Sequence, residues 1–182
     1  MIYDVIQAGD DRLRRVSEPV DPNDLPTLQQ FIDDLDETRR VNRGIGIAAP
    51  QVGVLKRIIS IEVPGGYRIG YGEVPDQPVT VVVNPILVWE SDDQIKAPEG
   101  CLSIRGYEGF ITRAAAVRVE GLSRSGEPVT YQTDRLFARA LLHEIDHLNG
   151  ILFIDHLRAH QDLRKVSPVE VDDPIWGLIQ PR

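Results

Sequence analysis

"RALLHEIDHLNG", Arg139 to Gly150, places two histidines four residues apart with a glutamate directly after the first. In a helix that spacing brings His143 and His147 onto one face, one turn apart, where both rings can reach a single point. A metal ion is the expected occupant of that point. Two core histidines, each bonded to a carbonyl, are the bland alternative, and that reading suits a lone His better than a pair flanked by a carboxylate. Glu144 points along a different azimuth. It is therefore expected to take a proton from a metal-activated water rather than to join the ligand set.

The flanking residues describe the helix that carries the pair. Asp134 is a cap candidate and Asn149-Gly150 a helix stop. Leu136, Ala140, His143 and His147 share one face, while Phe137, Leu141, Ile145 and Leu148 line another. Arg135, Arg139 and Asp146 leave only a narrow polar stripe, so the helix is expected to be central and largely buried.

A catalytic metal needs a third protein ligand and an open position. The sole cysteine, Cys101, lies upstream in "PEGCLSIRGY". A thiolate there would complete a Cys-His-His set for a divalent cation such as Fe, Zn, Ni or Co. On its own, Cys101 would read as an inert buried thiol. A second His pair, His156 and His160 in "HLRAH", has polar flanks and no adjacent acid, and is read as a solvated face, with a second metal site the weaker alternative. The stretch "RGIGIAAPQVG", Arg43 to Gly53, lines up Gly44, Gly46, Ala48 and Ala49 before Gln51. Small residues let another backbone approach, so an extended segment there could pair with a peptide. Gln51 offers an amide donor for an oxyanion. Taken alone, the stretch could equally be a tight helix-to-strand turn.

The rest of the chain sets the frame. "NDLPTLQQFIDDLDETRRVNRG" has cap candidates Asn23 and Asp24, Pro26 in the first turn, and Leu28, Phe31, Ile32 and Leu35 at helical spacing. "RIISIEV", "VTVVVNPILVW", "AAVRVEGL" and "PVTYQT" are β-branched runs that read as strands, with "SRSGEP" a hairpin turn. Pro64 to Pro78 is rich in Gly and Pro and is expected to be a surface loop. A chain of 182 residues suits one domain, 1–182. A formal charge of -8 and no basic cluster argue against nucleic acid as a partner. No apolar run has the length to span a membrane, and the opening "MIYDVIQAGDD" lacks a signal-peptide pattern, so a cytoplasmic location is expected.

Three of these segments together resemble the peptide deformylase family. Its motifs, GxGxAAxQ, EGC(L)S and HExDH, stand in that order as "GIGIAAPQ" from Gly44, "EGCLS" from Glu99 and "HEIDH" from His143. The resemblance runs from "DDRLRRVSEPV" to about "LFIDHL". It implies an α+β fold with antiparallel strands around a central metal-binding helix. It also implies Cys101, His143 and His147 as ligands of one divalent ion, usually Fe(II) and often Zn or Ni in preparations. Glu144 maps to the general acid/base, Gln51 and the Leu102 N–H to the oxyanion hole, and Gly46 to a backbone contact with substrate. The implied reaction hydrolyses the formyl group from the N-terminal methionine of new proteins and releases formate. The implied partner is an N-formylated peptide or nascent chain; a monomer making at most transient contact with the ribosome is expected.

Some positions depart from the family pattern. Arg105 stands where most members have proline, Glu108 where an arginine often borders the substrate mouth, and Leu142 where glutamine precedes the HExDH motif. None removes a ligand or the base, but they bear on substrate preference. Residues 168–182 turn acidic after Ser167-Pro168 and are expected to form an irregular tail. Three other readings stay open: a paralogue acting on a small N-formyl molecule, a zincin-type endopeptidase, and a peptide-binding module without turnover.

Overall fold

In the computed structural model, which describes residues 1–68 and 71–166, two helices pack on opposite faces of one antiparallel sheet. In chain order the elements are α1 (Leu25–Val41), β1 (Gly46–Ala48), β2 (Ile58–Val63), β3 (Gly66–Arg68), β4 (Gly72–Val74), β5 (Gln77–Glu90), β6 (Gln94–Gly100), β7 (Tyr107–Ala114), β8 (Ala116–Leu122), β9 (Pro128–Asp134), α2 (Arg135–Leu148) and β10 (Leu163–Lys165). The five-stranded sheet runs β1-β2-β5-β8-β9, a second sheet runs β10-β7-β6, and β3 pairs with β4. This is the α+β arrangement expected from the sequence.

The period-2 alternation of the strands assigns each side chain to a face. On β2, Ile59, Ile61 and Val63 join a core with Leu141, Ile145 and Leu148 of α2. Ile58 turns the other way, into a core with Ile32 and Leu35 of α1. Ser60 is on that side too, and its hydroxyl donates to Asp36 Oδ1 at 2.6 Å. Each fully buried Ile or Leu is worth about 1.5–3 kcal/mol relative to exposure. A third, smaller cluster of Cys101, Ile111 and Phe153 sits below β7.

Helix α2 is as deeply placed as its sequence implied, and Gly150 beyond it takes φ 73 as a stop residue. Its other end differs from expectation. Asp134 makes no capping hydrogen bond, because Arg135 enters the helix at φ 54 with its N–H held by Ala115 O at 2.9 Å. That sharp corner turns the Asp134 side chain away from the first-turn amides. At α1 the cap is also displaced: Asp21 accepts from Asn23 N, opening a 3-10 turn at Pro22–Asp24 that leads into the helix. Arg139, expected in a polar stripe, is only 1% exposed. The stretch from Pro64 to Pro78 is not simply a loop. It contains the β3–β4 hairpin, in which Gly66 at φ 128 and Gly72 at φ 69 hold positive-φ backbone that other residues resist. The tail at 168–182 lies outside the described residues. Among the described residues, no helix is long and apolar enough to cross a membrane.

Candidate metal centre

Two elements bring the donors together. Antiparallel pairing of β6 with β7 sets Glu99 opposite Gly109 and Gly100 opposite Glu108, so the chain leaves the sheet directly into Cys101. Helix α2 presents His143 and His147 toward that point, with ring centroids 4.9 Å apart. One donor atom from each of Cys101, His143 and His147 lies within 4.8 Å of the others, and all three residues are buried. Cys101 Sγ is 3.2 Å from His147 Nε2.

The electrostatics of the pocket suit a cation. Burial pushes the Cys101 thiol up, so a thiolate there needs positive charge beside it. Burial holds both imidazoles below their ordinary value; the neighbouring His143 lowers His147 further, whereas Glu99 pulls His143 back up. Neutral imidazole is the form that binds metal. One thiol and two neutral imidazoles make a borderline-soft donor set that fits Fe(II), Zn, Ni or Co.

Around the donors, each group has a distinct setting. His143 Nδ1 lies 3.0 Å from Glu99 Oε2. A carboxylate can only accept, so Nδ1 carries the proton and Nε2 is left for a metal. His143 also stacks on Phe153, with ring centroids 6.3 Å apart and planes at 20°. Glu144 is outside the donor cluster; it is 1% exposed, and its Oε2 has no hydrogen-bond partner among the described residues. Burial, with the nearby charge of Glu99, pushes the Glu144 carboxyl well above the usual range. Gln51 Oε1 accepts from Ala48 N at 2.8 Å, which fixes the amide so that Nε2 faces Cys101 Sγ at 3.5 Å and Ser103 Oγ at 3.2 Å. Leu102 is the next residue along, 4% exposed.

Gly46 sits against Glu144. A Cβ at Gly46 would lie 2.2 Å from Glu144 Oε1, so the carboxylate would have to move. Gly46→Ala is therefore expected to keep the metal and lower activity by about two powers of ten, since a 1 Å misplacement costs on that order. Metal analysis beside a formate-release assay checks it; unchanged turnover would mean that Glu144 tolerates displacement.

The supporting shell was not read from the sequence. Glu99 is fully buried and receives two guanidiniums: Arg113 donates to both its oxygens at 2.6 and 2.9 Å, and Arg139 Nη1 to Oε1 at 2.6 Å. Burial works against its charge. The Arg113 charge and the hydrogen bonds from His143 and Arg113 outweigh that and hold the carboxyl well below the usual carboxylate range. Arg139 further donates to Ile111 O, Ile95 O and the Tyr71 hydroxyl. Arg113 also reaches Asp146 Oδ2 at 2.7 Å, and His156 Nε2 meets the same oxygen at 2.8 Å. His156 thus belongs to a hydrogen-bond network with Asp146 and Arg113 rather than to a wholly solvated face, while His160 is exposed. The available signal was Arg139 standing one turn before His143. Glu99→Ala would leave the buried Arg139 without its carboxylate and Arg113 with Asp146 alone, with an expected loss of about 3–5 kcal/mol of stability in urea unfolding of the metal-loaded protein. A loss below about 1 kcal/mol would show that water reaches the pair.

Glu108 lies on β7, where Arg164 of β10 donates to its carboxylate. Arg105 bonds Asn42 Oδ1 at 2.6 Å, and Leu142 is 8% exposed in the core.

Comparison with known proteins agrees with this geometry. The family described as polypeptide deformylase matches residues 2–162. A peptide deformylase of Acetivibrio thermocellus is 45% identical over 147 residues, 81% of this chain and 78% of that protein. One from Brachyspira hyodysenteriae is 38% identical over 164 residues, 90% of this chain and 85% of that protein. Among solved structures, a Met-Ala-Ser-bound class I type b peptide deformylase from Acinetobacter baumannii superposes with a TM-score of 0.80 at 35% identity, covering 86% of this chain and 99% of the other. A peptide deformylase from Legionella pneumophila gives 0.76 at 34% identity, with 96% and 94% covered. With its metal-binding motif, edge strand and helix all within the matched region, the chain belongs to the polypeptide deformylase family and is a metal-dependent hydrolase that removes the formyl group from the N-terminal methionine of new proteins.

Proposed function

We propose that Cys101, His143 and His147 hold one divalent ion, Fe(II) under physiological conditions with Zn, Ni or Co able to replace it. The clustering of three buried donors beside a buried carboxylate that is not one of them carries this reading. When bound, the ion supplies Lewis acidity that makes water nucleophilic at neutral pH. The chain's own groups do the rest. β1 is the last strand of its sheet, and at Gly46 it offers main-chain groups to an extended peptide. Gln51 Nε2 and the Leu102 N–H donate to the oxygen that gains charge when water adds to the formyl carbon. Glu144 takes the proton from that water and passes it to the departing amine as the C–N bond breaks, giving formate and a free N-terminus.

Glu108 is proposed to border the substrate mouth, with its charge offset by Arg164. Its effect on the residue after the formylated methionine is then several-fold at most. Residues 1–182 are proposed to act as one catalytic unit, a cytoplasmic monomer whose contact with the ribosome, if made, is transient. The Acinetobacter baumannii relative, solved with Met-Ala-Ser, supports a peptide as the occupant. Formate release from formyl-Met-Ala-Ser by anaerobically iron-loaded protein tests the whole reading. Turnover is expected; hydrolysis of only small N-formyl compounds would overturn the peptide assignment.

A further inference from the structure

We propose that Tyr71, on the β3–β4 hairpin, is a positioning residue for the metal centre: its hydroxyl fixes the Arg139 guanidinium, which with Arg113 holds Glu99 against His143 Nδ1. The proposal rests on the metal-centre reading above.

The path is continuous in hydrogen bonds. Arg135, Arg139, His143 and His147 follow one another at four-residue intervals, so they form a single ridge along α2. The hairpin is gripped at two points of that ridge. Arg135 Nη1 donates to Glu73 O at 2.7 Å, and Arg139 Nε donates to the Tyr71 hydroxyl. The Arg139 guanidinium carbon also lies 5.7 Å from the centre of the Tyr71 ring. Burial raises the Tyr71 phenol to about 12, so it stays neutral and accepts without adding charge. Three further N–H groups of Arg139 donate to Glu99 Oε1, Ile111 O and Ile95 O. Nε is the one that a residue outside β6 and β7 satisfies. Without it the planar guanidinium can tilt about its remaining contacts, and Glu99 with it. Glu99 sets the proton on Nδ1 and the plane of the His143 ring, and a ligand's partner of this kind commonly alters metal affinity or activity by 10–100-fold, about. Tyr71 acts one bond further away, so a several-fold effect is expected.

The test uses full-length Tyr71→Phe, which keeps the ring packed against the α2 core and removes only the hydroxyl. Three readouts are compared with the parent: the visible absorption bands of the Co(II)-loaded protein, the rate at which a chelator removes Co(II), and kcat and KM for formyl-Met-Ala-Ser. The expected result is shifted Co(II) bands, Co(II) loss about 3–10-fold faster and kcat lowered by a similar factor, with KM within about twofold. A variant that melts earlier yet keeps the parent's bands, chelation rate and kcat would show Tyr71 to be structural only. Raised KM with unchanged bands would place Tyr71 on the substrate instead and overturn the proposal. Should the parent itself fail to turn over the peptide, the substrate reading fails, while the bands and chelation rate still decide the role of Tyr71.

Discussion

Glu144→Gln is expected to lower kcat for formyl-Met-Ala-Ser by about two to four powers of ten while the protein keeps its metal. The two halves of that expectation have separate grounds. The carboxylate lies outside the cluster of donors formed by Cys101, His143 and His147, so its loss removes no ligand. An amide of the same size also fills the space beside Gly46, so packing is kept. What disappears is a basic oxygen in a dry pocket, the buried Oε2 that pairs with no other described residue. Metal analysis of the purified variant, alongside formate release, separates the two. Loss of metal would make Glu144 a ligand, and full activity would mean that another group moves the proton.

Cys101→Ala is expected to act in the opposite order, on the metal first. Cys101 carries the only thiol in the chain and faces His147 Nε2 at 3.2 Å, so removing it leaves two imidazoles. Metal affinity should fall by about a hundredfold or more, given that loss of a ligand's hydrogen-bonding partner alone reaches that size, and activity should fall with it. His160→Ala serves as the contrast, because that residue is exposed and outside the cluster; metal content and turnover should stay at the parent level. A Cys101→Ala protein that retains tightly bound metal at His143 and His147 would sink the ligand assignment.

The parts of the site that were legible in the sequence are those whose chemistry is local. His143, Glu144 and His147 are fixed relative to one another by a single helical turn, and Ala48 to Gln51 by a tight turn. The supporting groups depend on pairing between distant segments. Glu99 meets Arg113 only because β6 and β7 lie side by side, and meets Arg139 across forty residues of chain. An arginine next to an apolar run looks like a solvated residue until its acidic partner is located. The same holds for Glu108, whose cation comes from β10, a strand that no motif announced. Local cap signals at Asp24 and Asp134 were overridden by how the neighbouring segments enter the helices. The hairpin within Pro64 to Pro78 was hidden by its own glycines, which take positive φ in its strands and also make the stretch look structureless.

If substrate docks along β1 at Gly46 as proposed, the shortness and position of that strand set limits on what the enzyme can tell apart. This strand is three residues long, pairs with β2 on one side, and has no strand on its other side among the described residues. Recognition through such an edge addresses amide groups, which every polypeptide carries in the same arrangement, and not the side chains that distinguish one gene product from another. Three residues of edge also bind too little backbone to hold a finished product for long, or to recruit a strand from a second folded protein into a stable pair. The geometry therefore favours a generalist that samples many unrelated chain starts briefly, with discrimination concentrated at the first residue and its blocked amine.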